Sequence, residues 1–148
     1  METLFRIDGE RLIREYDDEQ LWVEPWGDDS LRVRCTRQAV MPVDRDWALL
    51  HQPVVRKPAI EIGGKEASIT NGRITCHINE SGFIRFINQR GETLLSERWQ
   101  DKRDRDNPIS INIPGRELKP IPGGSYRAAV RFEGNESERI YGMGQQQE

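Results

Sequence analysis

Apolar and polar residues alternate through most of this chain with a period of two, and short runs of turn residues interrupt the alternation. Residues 31–36 show it most plainly. Leu31, Val33 and Cys35 fall on one side, and Arg32, Arg34 and Thr36 on the other. A segment of this kind reads as an antiparallel strand with one face on a core. The same reading covers residues 66–70, 73–78, 83–88, 109–113 and 126–133. Asp8-Gly9 and Asn71-Gly72 are favoured two-residue turns. They predict hairpins joining 4–7 to 10–16 and 66–70 to 73–78. A further strand over 20–26 is closed by Pro25 and Gly27, and another follows the turn at 89–91. Pro42, Pro53 and Pro58 make 37–58 irregular, with a short helical turn or strand end at 46–50.

Short, closely spaced strands with hairpin turns predict an all-β fold, an antiparallel β-sandwich. Its predicted core includes Val33, Ile74, Cys76, Ile78, Phe86 and Val130. Residues 97–108 are densely charged and predict an exposed connection. No long helix and no 20–50-residue repeat is visible.

Composition narrows the function classes. The 148 residues suffice for one domain with a real core, and an α/β barrel of about 250 residues does not fit. A net charge of −3 leaves no broad basic field, so nucleic acid is not an expected partner. The N-terminus carries no apolar leader segment, and no run approaches the roughly 20 apolar residues of a membrane span. A cytoplasmic protein with no membrane partner is the expectation. Cys35 and Cys76 read as two buried thiols, with a disulfide as the alternative. No Cys/His cluster suggests a metal site, and no cofactor is implied.

Catalytic candidates are sparse. Two carboxyl groups can act together as acid and base, or as acid and nucleophile, only where a fold sets them close together. Glu97, Asp104, Asp106 and Glu117 qualify only as carboxylates, and a solvated surface role is expected for each. His51 and His77 are the only histidines. His77 projects from the face opposite Cys76 and Ile78, as an exposed strand residue would, and His51 has no neighbouring acid to orient it. No catalytic residue is assigned. Gly142 and Gly144 lack the spacing of a nucleotide loop and read as backbone-conformation residues. Among the tryptophans, Trp22 reads as core, and Trp26 and Trp47 as core-edge residues. Trp99, in the charged segment, is the candidate for stacking on a sugar ring, with packing as its competing account.

The last segment, Glu138-Arg139-Ile140-Tyr141-Gly142-Met143-Gly144-Gln145, resembles a stretch of the amino-terminal β-sandwich domain of glycoside hydrolase family 31, which holds α-glucosidases and α-xylosidases. Residues 69–78 are similar to that domain's central hairpin, and 83–95 to the strand pair after it. Residues 115–120 and 123–127 resemble the approach to the last strand in the α-xylosidase-like branch. The order and spacing agree from about Glu66 to Gln145.

The resemblance implies a galactose mutarotase-like sandwich over residues 1–148 that continues beyond 148 in the parent enzyme. Tyr141, Gly142, Met143 and Gly144 carry over as the family's marker segment. The implied role is non-catalytic: packing on the catalytic barrel, which this sequence lacks, and shaping its substrate entrance. The parent reaction would be retaining hydrolysis of an α-glycosidic bond. The rival readings are a free-standing module that binds carbohydrate or protein, and a small mutarotase-like enzyme. Strand edges left unpaired by an incomplete domain predict a homodimer or larger oligomer.

Overall fold

The computed structural model describes residues 4–44, 46, 49–54, 56–103, 110–134 and 136–139. Every strand pairing in it is antiparallel, and the described residues include no helix, hence none long and apolar enough to cross a membrane. Four strands form the first sheet as a meander: β1 (Phe5–Asp8), β2 (Arg11–Tyr16), β3 (Glu19–Pro25) and β4 (Leu31–Thr36). Five form the second: β5 (Ala59–Ile62), β6 (Glu66–Asn71), β7 (Ile74–Asn79), β8 (Ile84–Asn88) and β9 (Thr93–Ser96). Two hairpins follow. The first is β10 (Gln100–Arg103) with β11 (Ser110–Ile113), and the second β12 (Arg116–Ile121) with β13 (Ser125–Val130).

The two meanders face each other across one core. Phe5, Leu12, Leu21 and Val23 of the first sheet meet Ala67, Ile69, Cys76, Ile78 and Ile84 of the second. These positions recur every second residue, so the alternation read in the sequence is the inward face of a sandwich. Both cysteines are free: Cys76 is buried and Cys35 half-buried. Burial pushes the Cys35 thiol up to about 11, which keeps it protonated and unreactive at neutral pH.

The predicted strands over 31–36, 66–70, 73–78, 83–88 and 109–113 match β4, β6, β7, β8 and β11 to within a residue at each described end. The last, 126–133, is shorter: β13 ends at Val130, and Phe132 makes a separate bridge to Glu97. Both Gly-containing turns sit one residue later than expected. Asp8 pairs with Arg11 and Asn71 with Ile74, so the turn residues are Gly9-Glu10 and Gly72-Arg73. Glycine is then the first turn residue, with φ of 60° at Gly9 and 58° at Gly72, as a II′-type hairpin turn demands. β5 was not anticipated. Its four residues are too short a run to show a period.

The charged stretch 97–108 is not simply an exposed connection. Its residues 100–103 are β10, and Glu97 is buried at 3% exposure. The predicted core is also too generous. Cys76 and Ile78 are fully buried, Val33, Ile74 and Phe86 are half-buried, and Val130 is 52% exposed. Val33, Phe86 and Val130 line an apolar groove of about 340 Å³ between the sandwich and the β12–β13 hairpin, together with Leu118 and Phe132. Alternation marks which side of a strand is apolar, and the groove shows that an apolar side need not be covered.

Trp22 departs from its core reading in another way. Leu21 and Val23 face inward, so Trp22 lies on the outer face of β3. Arg11 and Arg34 stack on it, their guanidinium carbons 4.7 and 5.1 Å from the ring centre. Glu24 pairs with Arg34 at 2.8 Å and Arg32 with Asp46 at 2.5 Å, while Arg34 also donates to the carbonyl of Pro42. The segment after β4 is thereby held over this outer face by charge-assisted bonds. Trp26, read as a core-edge residue, is half-buried under the guanidinium of Arg32 at 5.2 Å. Trp47 lies outside the described residues.

Candidate functional site

Polar residues cluster at both ends of the sandwich, and at each end they join one sheet to the other. At the first end the loop 26–30, between β3 and β4, meets the turn between β6 and β7. Asn71 donates to the carbonyls of Gly27 and Ser30 at 2.9 and 2.8 Å. Asp29 accepts from the backbone N–H of Arg73 at 2.8 Å and from its Nε at 2.9 Å.

At the second end the turn between β2 and β3 faces the turn between β7 and β8. Arg14 lies on the inner face of β2, is buried, and donates from Nη2 to the carbonyl of Glu80 at 2.6 Å. Burial lowers its pKa from the ordinary arginine value. Arg116, at the start of β12, reaches into the same end. Its Nη1 donates to Glu97 Oε1 at 2.6 Å, and its Nη2 to Glu19 Oε1 at 3.0 Å and the Gly82 carbonyl at 3.2 Å. Glu97 Oε2 accepts from the backbone N–H of Ile84 at 3.0 Å. One guanidinium therefore joins β3, the segment after β9, the β7–β8 turn and the hairpin. Burial pushes the Glu97 carboxyl up, against the pull of Arg116. Burial also pulls Arg116 down, but Glu97, Cys35 and Glu19 together outweigh it and the guanidinium is raised.

A cleft of about 350 Å³ opens over this cluster. Arg14, Tyr16, Glu19, Arg37, Trp99 and Arg116 are among the residues on its wall. A second, of about 710 Å³, shares Tyr16, Asp17, Glu19 and Arg37 with it. The turn that carries these residues is unusual. Asp17 and Asp18 both have positive φ, 49° and 62°, without being glycine. Strand β2 thus ends on Tyr16 and reverses in two residues, leaving that ring 60% exposed at the mouth of both clefts.

The residues singled out in the sequence fall in different places. Trp99 lies on the wall of the smaller cleft, half-buried, in edge-to-face contact with Phe83 at 6.5 Å between ring centres. Packing thus occupies part of that ring, and Gly115 sits where a side chain would press against the indole. Glu97 is the opposite of its expected solvated surface role, being a buried acid paired with Arg116. Glu117 is half-buried and pairs with Arg131 at 2.7 Å and Lys119 at 3.1 Å. His77 is half-buried rather than exposed, flanked across the sheet by Ser68 and Arg85, and His51 is exposed. Neither histidine lines the clefts at this end. Asp104, Asp106 and the segment Tyr141, Gly142, Met143 and Gly144 lie outside the described residues.

Arg14, Tyr16, Glu19 and Arg116 were not singled out from the sequence. The only available signal was an arginine at an inward position of an alternating strand. Among the described residues, no group of three or more His, Cys, Asp or Glu side chains is placed to hold a metal ion.

Comparison with known proteins supplies what the geometry alone does not. No family model matches the chain. The uncharacterized family 31 glucosidase ORF2 of Pseudescherichia vulneris is 36% identical to it over 143 residues, spanning 90% of this chain and 27% of that protein. Among solved structures, a GH31 α-xylosidase from a soil metagenome, complexed with xylose, superposes with a TM-score of 0.83 at 37% identity. That match covers 97% of this chain and 22% of the xylosidase. The chain therefore spans about a quarter of the length of the relatives it matches.

Proposed function

Since the chain is a segment of glycoside hydrolase family 31, with the fold of the family's amino-terminal β-sandwich, we propose that it serves an α-glycosidase as a non-catalytic domain. In this reading residues 1–148 form one sandwich domain, continued by further chain in the parent enzyme. It packs on the catalytic barrel and shapes the substrate entrance. The parent enzyme hydrolyses an α-glucoside or an α-xyloside with retention.

The observation that carries the reading is the match itself: nearly the whole chain, at more than one-third identity, follows a segment of a family 31 enzyme. Two features agree with a structural role. The buried carboxylate at the cleft, Glu97, is engaged by Arg116 and a backbone N–H and ties the hairpin to the sandwich, as a structural ion pair does. The apolar groove beside β12–β13 offers surface for a neighbouring domain.

Two assays test it. The purified chain should not release sugar from aryl α-glucosides or α-xylosides. Turnover that survives purification and disappears in Glu97→Gln would overturn the non-catalytic reading. Conversely, the P. vulneris relative lacking the matched segment should regain soluble activity when this chain is supplied in trans. Failure to restore it, with the chain folded, would count against a structural role.

A further inference from the structure

We propose that the cleft holding Tyr16 and Trp99 binds a neutral saccharide, seating a pyranose ring against the open face of Tyr16. The choice of ligand class rests in part on the family reading above. The choice of place rests on geometry.

Tyr16 is a large aromatic ring left 60% exposed at the junction of two clefts. Its ring is not loose. The Arg14 guanidinium carbon sits 5.2 Å from the ring centre and backs one face, and Arg14 is itself buried and bonded to the Glu80 carbonyl. With one face backed in this way and the residue 60% exposed, the opposite face is the one offered to a ligand in this proposal. A rigid aromatic surface with one free face suits a flat, partly apolar ligand that also needs hydrogen bonds.

Charge selects among such ligands. The smaller cleft is lined by four cations, Arg14, Arg37, Arg116 and Lys119, and by four acids, Asp17, Glu19, Glu97 and Glu117. The two signs cancel, and several of these groups already pair with one another. Neither an anion nor a cation gains a net field there. A ligand whose every polar group both donates and accepts is matched to such a lining, and a sugar hydroxyl does both. The volume of about 350 Å³ is at the small end for ligand sites, which fits one or two sugar rings rather than a long chain. Trp99 then forms part of the wall, its indole fixed by Phe83, while Tyr16 is the stacking surface.

The experiment is a calorimetric titration of the chain with methyl α-D-xyloside, methyl α-D-glucoside, maltotriose and glucuronate at millimolar concentrations. Saturable binding of at least one neutral sugar is expected. Tyr16→Ala should weaken it by roughly tenfold while the chain still melts cooperatively, the only packing lost being the stack on Arg14. Tyr16→Phe keeps the ring and should stay within about twofold. No saturable binding of any neutral sugar overturns the proposal, as does equal binding by Tyr16→Ala. Tighter binding of glucuronate than of every neutral sugar overturns the ligand class. Sugar release by the chain would instead overturn the non-catalytic reading and leave this site untouched, so the two failures are distinguishable.

Discussion

The side-chain amide of Asn71 donates to the carbonyl oxygen of Ser30 at 2.8 Å, across the gap between the two sheets. Asn71 is fully buried, at the end of β6, and Ser30 lies in the loop between β3 and β4 of the facing sheet. The same amide donates to Gly27. Asn71→Ala should therefore cost about 1–3 kcal/mol, because the half-buried Gly27 carbonyl loses the donor that ties its loop to the facing sheet. Urea denaturation gives the value, and a change under ~0.5 kcal/mol would mean water replaces the amide.

Gly72, next in the chain, has φ of 58° and stands directly over the loop it adjoins. A Cβ built there meets the backbone carbonyl of Asp28 and the carboxylate of Asp29. Gly72→Ala thus combines a left-handed conformation with a clash against backbone. We expect a loss on the order of 1–3 kcal/mol, more than the same change at Gly9, where a Cβ meets open space. Equal melting temperatures for the two variants would contradict the clash.

Burial within the sandwich sets a gradient of mutational cost. Ile69 is fully buried in the core between the sheets, and Val130 is largely exposed beside the groove. Ile69→Ala should cost about 2–5 kcal/mol. Val130→Ala should stay within ~0.5 kcal/mol in the isolated chain. A large loss at Val130 would show that the groove is filled in solution.

Acid should destabilise the fold through its surface ion pairs. Hydrogen bonds from Arg73, Arg32 and Arg131 hold Asp29, Asp46 and Glu117 below their ordinary values of 3.8, 3.8 and 4.5. A carboxylate with a depressed folded-state pKa contributes stability above its unfolded value and loses it as pH falls through the folded value. Melting temperature should accordingly fall from about pH 5 towards pH 3, and less so at high salt. Asp46→Asn should flatten part of that fall. Burial gives Glu97 the opposite sign, so Glu97→Gln should steepen it. A melting temperature independent of pH over that range would refute the assignment.

Association is the expected fate of the exposed apolar surface. Phe132 and Val130 stand open beside the groove, and β4 ends its sheet without a further partner among the described residues. A free edge beside apolar surface invites another strand. We propose a homodimer or larger oligomer for the isolated chain. Sedimentation equilibrium at micromolar protein checks it, and a clean monomer with a cooperative melt would show the edges to be protected.

The sequence by itself determined most strands of the two sheets and the apolar side of those that alternate cleanly, but not β5, β10 or the outward side of Trp22. That information is local: a period of two, punctuated by glycine turns, needs no partner to be read, and it placed β4 and β6–β8 to within a residue or so. The same logic was one residue out at both Gly turns, since it did not anticipate Asp8 extending β1 or Asn71 extending β6 to reach Ser30. What tertiary structure alone decided was which apolar sides are covered and which charged groups are buried. Val33 and Phe86 carry the same pattern as Cys76, yet only Cys76 has a full layer over it. Glu97 looks like any acid in a charged stretch until Arg116, nineteen residues on, meets it at 2.6 Å beside Glu19 of the other sheet. Burial and pairing depend on what the chain brings from a distance, and local alternation carries no record of that.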